Sequence, residues 1–269
     1  MRFGLALTAL AVASSGGLTQ VAAQTPAAAP ARVDPAALKA ACDEMVAELT
    51  PETDIAQQTD RLISTMLSEM TRTDPDFAEM ESDYPGLSVA MATALRPIML
   101  RVAYQTLPQY RAELSQMYQD NLTAEEARQV TAMLRTPEWR SFRKKAAAQA
   151  EYKSTVGALL REEDASVAST NADRRSTARQ LADDVTPAEL SAIKTFFSSP
   201  LGRKFMALSP KKQAIELKWF NYSPPELEQE VLVTLIDAMV QHIAKTDPET
   251  AAMMRSSLEA DGKLPKKKN

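Results

Sequence analysis

The sequence is poor in the residues on which most protein chemistry depends. Its 269 residues hold one cysteine and one histidine, so an internal disulfide framework, a His/Cys metal cage and a triad drawing on several histidines are all excluded. Seven glycines are present, none grouped after residue 23, which leaves no Gly-rich phosphate loop. Aromatic side chains make up 6% and the formal net charge is −4, so no nucleic acid partner is expected. No cofactor is implied by any motif. What remains is 45% hydrophobic and 25% charged, the composition of a globular chain large enough to bury a core without disulfides.

The N-terminus reads as a secretory leader. Met1 and Arg2 supply a positive start, residues 3–13 form an apolar run, and Val21, Ala22 and Ala23 place small residues before a cut at Gln24. The apolar run is too short to span a bilayer. An uncleaved membrane anchor is the alternative reading. Cys42 lies too far beyond the cut to be the first mature residue of a lipoprotein. Residues 1–23 are therefore expected to be removed, with export to the periplasm. The most apolar later stretch, 87–104, contains Arg96, Pro97 and Arg101, so no membrane-spanning segment is expected in the mature chain.

Residues 24–33 are rich in Ala and Pro and read as a flexible leader. Beyond them the punctuation is uniform. Ten of the sixteen prolines follow Ser, Thr or Asp, nine of them beyond residue 33: Pro35, Pro51, Pro75, Pro137, Pro187, Pro200, Pro210, Pro224 and Pro248. An oxygen side chain at the N-cap accepts from first-turn amides, and proline next to it has no N–H to leave unpaired. Apolar spacing between these starts is helical, as in Leu38, Ala41, Cys42, Met45 and Leu49, or Val231, Leu235, Ile236, Met239 and Ile243. The spacing predicts helices over 35–49, 51–73, 75–83, 87–105, 108–120, 124–135, 137–162, 172–184, 187–198, 200–208, 210–221, 225–245 and 248–260, some of them fused. The predicted fold is all-α, a multi-helix bundle. An acidic helical region over 34–110 would precede a repeat-containing domain over 111–260, and a disordered basic tail over 261–269 would follow.

The repeat is internal and gapless at an offset of 63 residues. Thr123 aligns with Thr186, Glu126 with Glu189, Pro137 with Pro200, Arg140 with Arg203 and Phe142 with Phe205. Each copy begins with Thr-x-x-Glu, a capping box, and turns at Thr-Pro or Ser-Pro, because the residue before proline is pushed out of the α region. The unit is a helix–corner–helix, and two copies are expected to pack by similar contacts. Gly202 stands where the first copy has Trp139, so a close helix approach is expected at the second corner and a filled gap at the first. Arg140, Arg203, Glu126 and Glu189 are expected to be mainly architectural.

The second copy resembles a known family. Thr186, Pro187 and Glu189, followed by the aromatic pair Phe196 and Phe197 and then Ser199, Pro200, Gly202, Arg203 and Phe205, are similar to the signature of a bacterial envelope family known as domain of unknown function twenty-fifty-nine. The resemblance covers roughly 177–220. Residues 114–150 form a degenerate version without the aromatic pair or the glycine, and Phe197 stands where that family often has tyrosine. The resemblance implies an all-α exported protein and brings no catalytic residues with it.

Individual candidates for chemistry are weak. His242 would need a nucleophile or carboxylate partner to act as a base, and none is identifiable. Cys42 lies on an apolar stripe, buried or available for an intermolecular bridge. The acids Asp74, Asp76, Glu79, Glu81 and Asp83 lack the glycine a calcium loop needs at its sixth position. Met66 and Met70, one turn apart, suit either Cu(I) or a core. Charge placement says more. Residues 43–83 hold twelve acids and two arginines, whereas 135–145 and 200–218 each hold five cations and one acid. Arg143, Lys144, Lys145, Lys204, Lys211 and Lys212 are therefore candidates for a surface that meets an anionic envelope ligand or protein partner. The expected function is a non-enzymatic periplasmic binding module. An envelope hydrolase with paired carboxylates and a holdase-like chaperone with an exposed Met-rich groove are the alternatives.

Overall fold

The computed structural model describes residues 34–161 and 163–260. The expected leader over 1–23, the Ala/Pro segment and the basic tail lie outside these residues. Every regular element described is an α-helix: α1 (Pro35–Leu49), α2 (Glu52–Thr73), α3 (Pro75–Asp83), α4 (Leu87–Gln119), α5 (Ala124–Leu134), α6 (Pro137–Ala148), α7 (Lys153–Leu160), α8 (Val167–Ala182), α9 (Pro187–Ser198), α10 (Pro200–Ala207), α11 (Ser209–Phe220), α12 (Leu227–Ile243) and α13 (Pro248–Ala260). The architecture is an all-α multi-helix bundle.

Local capping accounts for most of the starts. Asp34, Asp74, Thr136, Thr186 and Ser199 accept from amides of the first turn that follows each of them, and Asp247 accepts from Thr250 N. Three of the nine dipeptides behave otherwise. Thr50 Oγ1 donates back to Val46 O, Ser209 is already helical behind Leu208, and Ser223-Pro224 precedes a turn before α12.

The bundle is organised around α4, which packs against α1, α2, α11 and α12. The sequence suggests a break near 105–108, but α4 runs unbroken through Pro97 and Pro108. An interior proline disfavours a helix by about 3 kcal/mol. Burial of Leu95, Met99, Val102, Leu107, Tyr110 and Leu114 along this helix outweighs that, since each large apolar side chain contributes about 1.5–3 kcal/mol. With 33 residues and an 18-residue window of mean hydropathy 1.2, α4 is also long and apolar enough to cross a membrane by length and composition, which the shorter stretch 87–104 did not suggest. Here it is the central helix of the core.

Two boundaries move. The expected helix over 137–162 is broken after Ala148, and α7 restarts at Lys153. The cause is tertiary. The buried Asp173 of α8 accepts from Ser154 N at 2.7 Å, Thr155 N at 2.9 Å and Thr155 Oγ1, so it caps α7 from another helix. Conversely α8 begins five residues earlier than expected, because Ser166 and Ser169 form a capping box there. The expected division at 110/111 falls inside α4, and one cluster of buried residues runs from Ala41 to Leu235. A smaller cluster, centred on Ile236, Val240, Ile243 and Ala251, joins α12 to α13.

Candidate functional site

Two helical corners, α5–α6 and α9–α10, meet in the interior, and the site is built where they face each other. Each opens with a reciprocal cap. Thr123 Oγ1 accepts from Glu126 N at 3.2 Å while the Glu126 carboxylate accepts from Thr123 N at 2.8 Å. Thr186 and Glu189 repeat this with the same two distances. Pro137 and Pro200 open the second helices behind Thr136 and Ser199. Arg203 donates to Ser198 O at the end of α9, whereas Arg140 is exposed on α6.

The capping glutamates have a second role. Lys145 of α6 donates to Glu189 at 2.8 Å, and Lys204 of α10 donates to Glu126 at 2.7 Å. Each carboxylate that caps one unit is thus held by the second helix of the other. Burial of Glu189, which is 3% exposed, acts to raise its pKa, but hydrogen bonds from Lys145, Ser141 and Thr186 together bring it down to about 2. Against the rest of the fold the units differ, for α5 packs chiefly on α1 and α9 on α6 and α10.

Gly202 explains part of that difference. A Cβ there would lie 1.9 Å from Phe196 O, 2.6 Å from Phe196 C and 2.8 Å from Phe197 Cα. The close approach comes from the preceding helix of its own corner, so α9 and α10 fold back tightly. At the aligned position Trp139 fills the space instead. Its ring meets Phe142, Phe196 and Phe197 edge-on, with centroids 6.0, 5.8 and 6.0 Å away. Phe205 stacks on the buried Tyr118 of α4 at 5.5 Å.

These rings enclose a cavity of about 80 Å³, partly walled off from solvent. Four pairs of residues 63 positions apart line it: Met133 and Phe196, Leu134 and Phe197, Phe142 and Phe205, Arg143 and Met206. The junction of α1 and α2 closes it with Leu49, Thr50, Asp54 and Gln58. On the outer side of Met133, Trp139 and Phe196 runs an open groove of about 870 Å³ between α5 and α9. The same three side chains line both spaces.

The polar feature of the cavity is Arg143. Its Nε and Nη1 atoms are buried, and among the described residues neither has a hydrogen-bond partner. Burial lowers its pKa, with Asp54 and Glu48 acting in the opposite direction. Burial raises the pKa of Asp54, the one acid among the cavity's lining residues. A second cation, Lys212, also lines the cavity and is 5% exposed. It pairs with Glu216, which also takes Arg174, and burial pulls its pKa down.

The six cations expected on one anion-binding face are therefore not gathered there. Lys212 is buried, Lys145 and Lys204 are engaged by the capping glutamates, and Lys211 donates to Asn121. Lys144 is exposed, and Arg143 points the charge inward. The reason is helical periodicity: neighbours along a basic stretch fall on different faces. Other candidates resolve into packing. Cys42 is fully buried, with its thiol raised by burial to about 11. His242 Nε2 lies 3.2 Å from Pro85 O, and Met66 and Met70 pack against the core. Paired carboxylates are not collected in either space, since Glu138 is the one acid lining the groove. Sequence reasoning missed Asp54, Gln58 and Met206; Met206 stands one residue past the end of the gapless alignment at Phe142 and Phe205.

No curated protein and no solved structure matches the chain. Residues 174–215, from within α8 through the second corner and into α11, match a bacterial family described as an uncharacterized protein conserved in bacteria (DUF2059).

Proposed function

We propose that this protein is exported to the periplasm and acts there as a non-enzymatic binding protein, taking a small anionic organic ligand in the cavity between its two helical corners. The observation that carries this reading is the Arg143 guanidinium, with two buried and unpaired N–H groups, set in a cavity otherwise lined mostly by apolar and aromatic side chains. Leaving a buried donor unsatisfied costs about 1–3 kcal/mol, and more when it is charged. A site of this kind recovers that energy when an anionic acceptor arrives. Apolar walls with a few convergent polar groups are the usual make-up of a ligand site. The leader-like N-terminus supports export.

The carboxylates do not favour hydrolysis: the cavity and the groove each offer one acid where glycoside cleavage uses two, and Glu113 and Asp120, which line a third, open pocket, are engaged by Lys218 and Gln116. The methionines do not favour a holdase, because Met45, Met91, Met99 and Met117 are buried and Met253, at 60% exposed, stands apart from the cavity and groove. Native mass spectrometry of the mature protein taken from the periplasm tests the binding reading. A retained anion that is lost in Arg143→Gln supports it. An apo mass, together with no change in melting temperature across a panel of small organic anions, overturns it.

A further inference from the structure

Resting on the binding reading above, we propose that the inner cavity and the outer groove form one continuous site for a single-chain carboxylate amphiphile, its carboxylate on Arg143 and its chain running out past Met133, Trp139 and Phe196 into the groove.

The head group follows from the charge on offer. Of the two cations lining the cavity, Lys212 already holds Glu216, whereas Nε and Nη1 of Arg143 have no partner among the described residues. These two nitrogens face different edges of the guanidinium, so a carboxylate oxygen accepts a charge-assisted hydrogen bond from one of them rather than a parallel pair. One unengaged positive charge in a mostly apolar space suits a monoanion. A dianion such as a phosphate monoester would leave its second negative charge uncompensated there.

The chain follows from the volumes. A dry cavity of about 150 Å³ takes a benzene molecule, so 80 Å³ holds a carboxylate and its first few methylenes but not a long chain. A large space, the groove of about 870 Å³, shares three of the cavity's lining side chains. The partition is made of three side chains, each exposed to both spaces, and one of them, Met133, is an unbranched thioether that changes rotamer at little cost. Beyond it the groove offers small and apolar side chains, Ala188, Ala192, Pro200 and Leu201. The aligned register contributes too. Gln129 and Ala192, Met133 and Phe196, Thr136 and Ser199, and Glu138 and Leu201 are 63-residue pairs that all line the groove. Cavity and groove are thus two sides of one interface between the corners, and a chain passing between Met133 and Phe196 crosses it.

The test is a chain-length series of sodium carboxylates from four to sixteen carbons, each below its micellar concentration, titrated into the full mature protein. Binding is read by intrinsic fluorescence, since Trp139 is part of the partition. Each methylene moved from water into an apolar site strengthens binding by about three- to fourfold. The expected result is a rise that continues well past six carbons, an at least tenfold loss in Arg143→Gln at every length, and a series that flattens beyond about six carbons in Ala192→Trp, which fills the groove and leaves the cavity intact. Circular dichroism of both variants confirms that they are folded. Three results overturn the proposal. Short carboxylates that bind in an Arg143-dependent way, with no gain beyond six carbons, confine the ligand to the cavity and leave the binding reading standing. Dodecyl phosphate or the methyl ester binding more tightly than dodecanoate refutes the head-group assignment. No response to a carboxylate of any length removes this proposal, while the broader anion panel separately decides the binding reading.

Discussion

Replacing Gly202 by alanine adds one methyl group at the turn between α9 and α10. The atoms it meets are backbone: Phe196 O at 1.9 Å, Phe196 C at 2.6 Å and Phe197 Cα at 2.8 Å. None can rotate away as a side-chain terminus would. Ordinary van der Waals contact begins near 3.4 Å, so the two helices must part by about 1.5 Å along the worst contact. Alanine is the better helix former by about 1 kcal/mol, which works in favour of the variant. Against it, overpacking costs about 1–3 kcal/mol and more when backbone must move. The movement also disturbs Phe196 and Phe205, whose rings close the cavity. The net expectation is a loss of about 2–4 kcal/mol, which for a domain of this size lowers the melting temperature by about 5–15 °C. Gly157→Ala is the matched control. Its new Cβ would meet Arg161 Nη1 at 3.5 Å, an ordinary contact with a flexible side chain, so the propensity gain should show as an unchanged or slightly raised midpoint. Thermal melts followed by circular dichroism read both. The reasoning is refuted if Gly202→Ala melts at or above the wild-type temperature, or if the control falls as far.

Glu189→Gln should destabilise the protein at pH 7 and much less at pH 3. The folded carboxyl sits near 2 against an ordinary 4.5, so its contribution of up to about 3 kcal/mol is complete above about pH 4.5 and fades as pH falls toward 2; an equal loss at both pH values would contradict this. Asp173→Ala removes the cap that α8 supplies to α7. Stability should drop by about 2–4 kcal/mol, and the amides of Ser154 and Thr155 should exchange faster in deuterium; unchanged protection there would place the cap elsewhere. Arg143→Met should raise the melting temperature of the ligand-free protein by about 2–4 °C, because a buried unpaired charge is traded for apolar packing, and a fall of similar size would mean that the guanidinium is structurally satisfied. Cys42, buried and with its thiol near 11, should stay unreactive toward a thiol reagent at pH 8 until the chain unfolds. Stoichiometric labelling of the native protein within minutes would show that α1 opens.

Helix starts were legible because capping is a local interaction. The oxygen, the proline and the glutamate at Thr186, Pro187 and Glu189 lie within four residues of one another, and the backbone amides they serve lie there as well. The close approach at Gly202 was legible for the same reason, since the atoms that forbid a Cβ belong to the residues just before it. Other features depend on groups distant in sequence. Nothing near Pro108 shows that α4 continues, because what carries it through is apolar burial against α1, α2, α11 and α12. Nothing near Gln149 shows that α6 stops, because the carboxylate that starts α7 comes from Asp173. The basic stretches show charge without direction. Whether a lysine meets water, a capping glutamate or the interior is decided by which face of its helix is covered, so Lys212 became buried and Arg143 turned inward only once the two corners packed together. The cavity is the strongest instance: positions 63 residues apart line it from both corners, while Thr50 and Asp54 close it from a part of the chain about eighty residues earlier. Local sequence set most of the helix starts, their caps and the two corners. The tertiary structure alone decided which cation faces an apolar space, because that depends on the packing of surfaces far apart along the chain.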